Sequence, residues 1–129
     1  EEMVRRARAQ GQPSGTRTAQ VRQLVSWLGS FAEQRIVAGD SNGWPGTTEI
    51  NEMLKSYKDG WAVAKAAGKA VSYPGNPEGN TRYTRIDYVF YSKGATALTV
   101  TRAEVFDTRN SAGKKPSDHN PLMVTFQVR

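Results

Sequence analysis

The sequence is organised around the stretch Pro-Ser-Asp-His-Asn-Pro, residues 116–121. This stretch contains His119, the only histidine in the chain, and places Asp118 directly before it. Residues 122–128 then carry a large apolar side chain at every second position, which predicts a strand. An imidazole exchanges protons near neutral pH, and a carboxylate is a good ligand for hard cations. We therefore expect a loop at the mouth of a strand, carrying a proton-transfer group beside a candidate metal ligand.

The composition is that of a globular chain that forms one modest domain or part of a larger one. Its formal net charge is +6, and two interpretations of this charge stay open. The partner is a polyanion such as nucleic acid, or the surface is simply basic and solvated. The absence of cysteine excludes disulfides and thiolate metal sites. No apolar run is long enough to predict a transmembrane segment.

Residues 1–17 are rich in arginine and contain glycine and proline, so we expect a mobile basic arm or a loop stump there. Residues 18–129 are expected to form the folded part of the chain. The first helix is predicted to begin with Thr18 as its N-cap, because apolar residues then recur at helical spacing. Its predicted buried face consists of Val21, Leu24, Val25, Leu28 and Phe31.

A short buried strand over residues 35–39 is predicted to end in the turn-forming residues Gly-Asp-Ser-Asn-Gly-Trp-Pro-Gly, 39–46. This arrangement places Asp40 and Asn42 at the mouth of a strand, where α/β folds usually carry their functional sites. The alternative is an ordinary turn in which the aspartate hydrogen-bonds to the nearby backbone. Both interpretations stay open for this segment alone.

Two more helices and three more strands are expected. One helix is capped by Thr47 or Thr48 and broken at residues 59–60, and another runs over 61–67. Strands are predicted over 84–91, 98–106 and 122–128, and the first of them carries Asp87 among apolar neighbours. A carboxylate there needs an ion pair or hydrogen bonds, unless it faces water at a strand end. The element order predicts an α/β (α+β) fold, mostly antiparallel, with covering helices.

Together these residues have a chemical logic that none has alone. Cleaving a phosphoester requires a divalent cation, an activated water and donors to the phosphoryl oxygens. Asp40 and Asp118 offer oxygen ligands suited to Mg²⁺ or Mn²⁺. Asp87 is placed to orient the imidazole of His119, as a carboxylate does in hydrolytic triads. The expected phosphate-binding side chains are Asn42, Arg82 and Arg85.

Three segments, in this order, resemble motifs of the endonuclease/exonuclease/phosphatase superfamily, which has the deoxyribonuclease-I-like fold. Residues 39–42, Gly-Asp-Ser-Asn, resemble its Gly-Asp-x-Asn motif, with Ser41 where the family usually has a bulkier apolar residue. Residues 85–90, Arg-Ile-Asp-Tyr-Val-Phe, resemble its Arg-Ile-Asp-Tyr strand. Residues 117–121, Ser-Asp-His-Asn-Pro, are similar to its Ser-Asp-His-x-Pro signature.

The resemblance implies a metal-dependent hydrolase of phosphoester bonds, in a family that acts on nucleic acids, inositol phosphates and sphingomyelin. It implies that Asp40 positions or deprotonates the attacking water and that Asn42 binds phosphate. Asp87 would pair with His119, which contacts the scissile phosphate, and Asp118 would lie at the metal or orient its water. We expect a nuclease or another phosphodiesterase that uses Mg²⁺ or Mn²⁺. The alternatives are a phospholipase-C-like or inositol-phosphate phosphatase, and a non-catalytic half-domain for binding or assembly.

The resemblance extends from about residue 18 to the end and corresponds only to the C-terminal half of the family's four-layer α-β-β-α sandwich. In that family the N-terminal half brings a metal-binding glutamate. The isolated chain is therefore expected to bind divalent metal weakly and to be inactive. Its inner sheet face is expected to be apolar and to pack on the missing N-terminal half or on a second chain.

Overall fold

The computed structural model describes residues 15–129, which form three helices and six strands. The elements in chain order are α1 Gly15–Leu28, β1 Ile36–Asp40, α2 Thr48–Leu54, β2 Tyr57–Asp59, α3 Gly60–Ala66, β3 Ala70–Val71, β4 Asp87–Ser92, β5 Leu98–Val105 and β6 Leu122–Val128. Helices and strands alternate as far as β3, and three strands then complete the chain.

The strands form two three-stranded sheets. In the first sheet, β4 lies between β1 and β2 and is antiparallel to both. In the second sheet, β5 lies between β3 and β6, parallel to β3 and antiparallel to β6. The prediction of a mixed α/β fold with mostly antiparallel pairing is confirmed. The four-layer arrangement of the complete domain stays a prediction.

The first apolar cluster holds α1 and α2 on the first sheet. Val21 and Val25 of α1 pack against Ile50 and Met53 of α2 and against Phe90 of β4. Within each helix these residues lie three or four positions apart, so that they share one face of the helix. The cluster fixes the helices behind β1, the strand that ends at Asp40.

The second apolar cluster surrounds Trp61 of α3, which is buried against residues of β5, among them Val100 and Val105. The helix begins at Gly60, where a side chain would conflict with the sheet. A Cβ atom at this position would lie 2.9 Å from the carbonyl oxygen of Val89, which is closer than van der Waals contact allows. Glycine is therefore required for α3 to approach the sheet as closely as it does.

The first helix differs from its prediction. α1 already includes residues 15–17, so Thr18 lies within the helix and is not its N-cap. The rest of the predicted basic arm, residues 1–14, lies outside the described residues. Leu24 and Phe31 were predicted to be buried, but they are 39% and 51% exposed. Phe31 follows the end of α1, where the helical spacing no longer determines the direction of a side chain.

The two shortest strands were not predicted. Tyr57 was assigned to the buried face of a helix; it is buried, but it begins β2, which pairs with β4. Ala70–Val71 forms β3 through its pairing with β5. Strands of two or three residues are too short to show an alternating pattern, so only their tertiary partners define them.

Several large apolar side chains remain exposed on the outer strands of the two sheets. Ile36 lies on β1, and Met123 and Val128 lie on β6. Among the strands of residues 15–129, each of these two has a sheet neighbour on one side only, so each forms an edge of its sheet. Within residues 15–129, no helix has the length and apolar character needed to cross a membrane.

Candidate active site

The pairing of β1 with β4 brings two carboxylates together at one end of the first sheet. Asp40 is the last residue of β1, Asp87 is the first residue of β4, and the two are partners in the antiparallel register. Side chains of directly opposed residues lie on the same face of a sheet, and like charges at such positions destabilise it. The two aspartates therefore call for a cationic or hydrogen-bonding group between them.

His119 supplies that group. Its Nδ1 lies 2.6 Å from Oδ2 of Asp87, and its Nε2 lies 3.9 Å from Oδ2 of Asp40. Because an ionised carboxylate offers only acceptors, Nδ1 carries a proton and donates a hydrogen bond to Asp87. The other ring nitrogen, Nε2, is then the one left beside Asp40. The three segments that the sequence predicted to converge do meet at this imidazole.

The loop after β1 is an Asx-turn. The backbone N–H of Asn42 donates to Oδ1 of Asp40 at 2.8 Å. Asn42 has a φ of 50°, a left-handed conformation that asparagine tolerates better than most residues. The two interpretations of this segment are therefore compatible, because one oxygen of Asp40 fixes the turn while the other lies near His119.

The cluster is chemically suited to a divalent cation. Asp40, Asp87 and His119 each offer one ligand atom, and these atoms lie within 4.8 Å of one another. Carboxylate oxygens are preferred by Mg²⁺ and Mn²⁺, and imidazole nitrogen is accepted by many divalent metals. The donor set thus fits a metal ion. It includes Asp87 where the sequence had proposed Asp118 as the second ligand.

Two of these residues line an open cleft of about 320 Å³. Its walls are formed by Asp87 and His119 together with residues 38–39, 88–89, 117 and 120–122. The side chains of His119 and Asp87 are 29% and 23% exposed. They are shielded enough to be held in place and open enough to reach a substrate from solution.

Asp118 and Arg82 lie at the rim of this site and are paired with each other. Nη2 of Arg82 lies 2.8 Å from Oδ2 of Asp118, and Oδ1 of Asp118 lies 4.0 Å from Nε2 of His119. The structure therefore places Asp118 near the histidine, with Arg82 paired to it on the other carboxylate oxygen. The guanidinium is part-exposed, which leaves it able to meet phosphate charge.

Arg85 is not brought to the site. Its Nη2 donates to both carboxylate oxygens of Asp59 at 2.7 Å, and the pair is buried. Asp59 also caps α3 by accepting the N–H of Ala62. The geometry gives no support to a phosphate-binding role for Arg85, because its charge is buried and already compensated. It ties the segment just before β4 to the start of α3.

Replacing Asp59 with alanine is expected to lower the free energy of unfolding by about 3–5 kcal/mol, because it leaves the buried guanidinium of Arg85 without a counter-ion. Urea unfolding followed by circular dichroism measures this loss. The matched control is Glu104→Ala, which breaks the exposed pair with Arg102 and should cost less than about 1 kcal/mol. Equal losses in the two variants would contradict the structural role of the buried pair.

Thr81 joins the strand of Asp87 to the loop of His119. Its hydroxyl oxygen accepts the backbone N–H groups of Ile86 and Asp87, both at 3.1 Å. Its carbonyl oxygen accepts the N–H of Asn120 at 2.8 Å. Thr81 is fully buried, so water cannot replace these bonds, and an unmade bond would be costly. A threonine in a polar loop carries no sequence signal, and it was missed for that reason.

Asparagine side chains extend this clamp. The carbonyl oxygen of Asn80 accepts the side-chain amide of Asn76 at 2.8 Å and that of Asn120 at 2.9 Å. The side-chain oxygen of Asn76 in turn accepts a hydrogen bond from the backbone N–H of Asn80. The loop between β3 and β4 is therefore hydrogen-bonded to the residue that follows His119, which holds the imidazole against Asp87.

The loop that follows Asp40 is held by two side chains that the sequence did not single out. The hydroxyl of Tyr88 donates to the carbonyl oxygen of Gly43 at 2.9 Å. Burial raises the pKa of Tyr88, so the hydroxyl remains a neutral donor. Arg17 donates to the carbonyl oxygen of Asn42 at 3.4 Å and lies 3.5 Å from the buried Glu49. Arg17 belongs to the segment predicted to be a mobile arm, which is why sequence reasoning missed it.

Two comparisons with known proteins give matches. A model of the endonuclease/exonuclease/phosphatase family matches residues 4–119. The crystal structure of the endonuclease/exonuclease/phosphatase from Bacteroides vulgatus is similar in fold, with a TM-score of 0.67 and 15% sequence identity. That match covers 92% of this chain and 46% of the Bacteroides protein, so the chain spans less than half the length of this structural relative. A comparison with curated proteins gives no significant match.

The family model spans most of the chain, and the matched range contains all three residues of the cluster. The fold comparison shows that the chain shares the fold of the Bacteroides protein over most of its length. The chain therefore belongs to the endonuclease/exonuclease/phosphatase family.

Proposed function

We propose that this chain carries the catalytic residues of a divalent-metal-dependent phosphoester hydrolase, and that the hydrolase is a phosphodiesterase acting on nucleic acid. The observation that supports this most strongly is the convergence of three distant segments on one imidazole, at distances of 2.6 and 3.9 Å. Family membership supports the reaction class. The net charge of +6 supports a polyanionic substrate.

In this proposal His119 contacts the phosphoryl group. Asp87 holds the ring through Nδ1, so Nε2 lies beside Asp40 at the open cleft. In the cationic form of the ring Nε2 also carries a proton, and this N–H donor stabilises the negative charge that develops on a phosphoryl oxygen during cleavage. Asp87 keeps the ring in the required tautomer and stabilises its cationic form, as the carboxylate of a hydrolytic triad does.

Asp40 orients or deprotonates the attacking water in the same scheme. Its Oδ1 is fixed by the backbone N–H of Asn42, so the direction of Oδ2 is determined by the turn. Proton transfer to a positioned carboxylate is ordinary general-base catalysis. Asn42 and Arg82 contribute further donors to the phosphate, and Arg82 is already held at the rim by Asp118.

Asp40 and Asp118 are the carboxylates that we assign to Mg²⁺ or Mn²⁺, because one oxygen of Asp87 is already engaged with His119. Oxygens of both assigned residues lie within about 4 Å of Nε2. A cation bound there supplies Lewis-acid stabilisation of the phosphoryl oxygens and lowers the pKa of a bound water.

We further propose that the complete domain contains a second half that packs against β1 and β6. One support is that this chain matches only 46% of the Bacteroides relative. The other is that Ile36, Met123 and Val128 are exposed on these outer strands. A second copy of the chain is the alternative occupant. This proposal explains why the isolated chain is expected to bind divalent metal weakly and to turn over slowly or not at all.

The test of the proposed function is a substrate comparison with the longest natural gene product that contains this chain. Plasmid DNA, sphingomyelin and inositol phosphates are each incubated with Mg²⁺ or Mn²⁺, and with chelator as the control. We expect DNA to be cleaved in the presence of metal and to stay intact with chelator. Cleavage of the lipid or of the inositol phosphates alone would contradict the nuclease assignment. Cleavage that persists in chelator would contradict the metal dependence.

A further inference from the structure

Tyr83 is an exposed aromatic residue beside the candidate site. Its 81% exposure is the highest among the large apolar and aromatic side chains in residues 15–129. An aromatic ring in water forgoes the free energy that burial would provide. Tyr83 directly follows Arg82, which lies at the rim of the candidate active site.

The geometry connects the Tyr83 ring to the catalytic cluster through a single side chain. The guanidinium carbon of Arg82 lies 4.6 Å from the centroid of the Tyr83 ring. The same guanidinium lies 2.8 Å from Asp118, the residue directly before His119. The guanidinium of Arg82 therefore lies between the Tyr83 ring and the stretch that carries His119.

The backbone below Tyr83 is firmly held. The N–H groups of Thr81 and Arg82 both donate to the carbonyl oxygen of Thr84, at 3.2 and 3.1 Å. This forms a tight turn with Tyr83 at its tip. Thr81 is anchored by its bonds to Asp87 and Asn120. The ring is thus displayed from a fixed support and does not hang from a long free loop.

We propose that Tyr83 is a stacking platform for a nucleobase of a single-stranded nucleic acid whose neighbouring phosphodiester lies at His119. This inference rests on the proposed function and names the form of the substrate. Stacking of bases on exposed aromatic rings is a sequence-tolerant way of binding single strands. The guanidinium of Arg82 adds a cation–π contact to the ring and positive charge for the flanking phosphates.

The surroundings of Tyr83 favour this ligand over a lipid surface. The residues next to it in the chain, Arg82 and Thr84, are polar, and Arg82 is fixed by an ion pair with Asp118. Insertion into a membrane interface requires a continuous apolar face rather than one ring among polar groups. A single ring paired with a guanidinium suits a flat base next to a charged backbone.

The test is an equilibrium binding measurement without catalysis. Fluorescence anisotropy in EDTA records the affinity of this chain for a labelled dT12 and for a 12-mer of abasic sites with the same number of phosphates. The wild type should bind dT12 roughly tenfold more tightly than the abasic strand. Tyr83→Ala should remove this difference without changing the affinity for the abasic strand. Tyr83→Phe should preserve the difference, because it keeps the ring.

Trp27→Ala is the matched control, since Trp27 is also exposed, at 61%. Arg17 is the residue of α1 that contacts the loop after Asp40, and Trp27 lies ten residues further along the helix, about 15 Å away from it. Removing the Trp27 ring should therefore leave binding unchanged. Equal affinity of the wild type for the two strands, or an unchanged preference in Tyr83→Ala, would overturn the proposal. The proposal would also be overturned if Tyr83→Ala lost affinity for anionic phospholipid vesicles while its affinity for dT12 stayed unchanged. Because no turnover is involved, failure here is distinguishable from failure of the proposed hydrolase function.

Discussion

His119→Ala is expected to lower the rate of phosphoester hydrolysis by roughly 10²- to 10⁴-fold, the range typical of a lost acid–base or charge-stabilising group. The side chain makes the 2.6 Å bond to Asp87, and its Nε2 lies 3.9 Å from Oδ2 of Asp40. Removing it leaves two adjacent carboxylates without the donor that we propose for the phosphoryl oxygens. The measurement is the initial rate on the substrate identified by the comparison above.

The fold should survive this substitution. The side chain of His119 is 29% exposed, and the bond that its backbone N–H donates to Oγ of Ser117 is unaffected. Asp107→Ala is a matched control, since it removes an exposed carboxylate from the loop between β5 and the His119 stretch. It should leave the rate within about twofold of the wild type. A similarly small effect of His119→Ala would favour the alternative that this chain is a non-catalytic half-domain.

Gly79→Ala is expected to give the largest loss of stability from the addition of a single methyl group, about 3 kcal/mol. A Cβ atom at this position would lie 2.1 Å from Cζ2 of Trp61, and Gly79 has a φ of 73°. The left-handed backbone costs an L-residue about 1–2 kcal/mol, and overpacking of a core adds about 1–3 kcal/mol. The indole is 2% exposed, so it has little room to move away.

Gly68→Ala separates these two contributions. Gly68 has nearly the same φ, 72°, but a Cβ atom there would meet nothing within 4 Å. Its substitution should cost only the backbone strain, about 1–2 kcal/mol. Urea unfolding of both variants gives the comparison. If the two losses were equal, the close approach of the loop to Trp61 would be wrong, and so would the position of Asn80 and Thr81 that follows from it.

The sequence predicted the site through residues whose chemistry is local and specific. Asp40, Asp87 and His119 lie in segments with recognisable spacing, and each sits at the end of a strand or in the loop that precedes one. Strand β6 was predicted with its observed bounds, because seven residues are enough to show alternation. Helix α3 was predicted with nearly the observed range, because Gly68 ends it in a left-handed conformation.

What the sequence could not predict depends on partners that are distant along the chain. Arg85 has the same charge as Arg82 and lies in a family-like motif, but only the fold reveals that Asp59 buries it. Nothing in the sequence distinguishes Thr81 from other loop threonines, because the three N–H groups that donate to it come from residues 86, 87 and 120. Arg17 reads as part of a flexible basic segment, and its contact with Asn42 exists only because α1 packs beside the loop.

The central claim is that Asp40, Asp87 and His119 meet in one phosphate-binding site, at which Asp40 and Asp118 hold the cation. It is tested most directly by titrating the isotopically labelled chain with Mn²⁺ and following the paramagnetic broadening of its NMR signals. This measurement works even when affinity is weak and turnover is absent. We predict that the amide signals of these three residues broaden first and together, and that Asp40→Asn shifts the broadening to higher Mn²⁺ concentration. Broadening centred on other carboxylates, such as Glu33 or Asp107, while these three signals stay sharp would contradict the account.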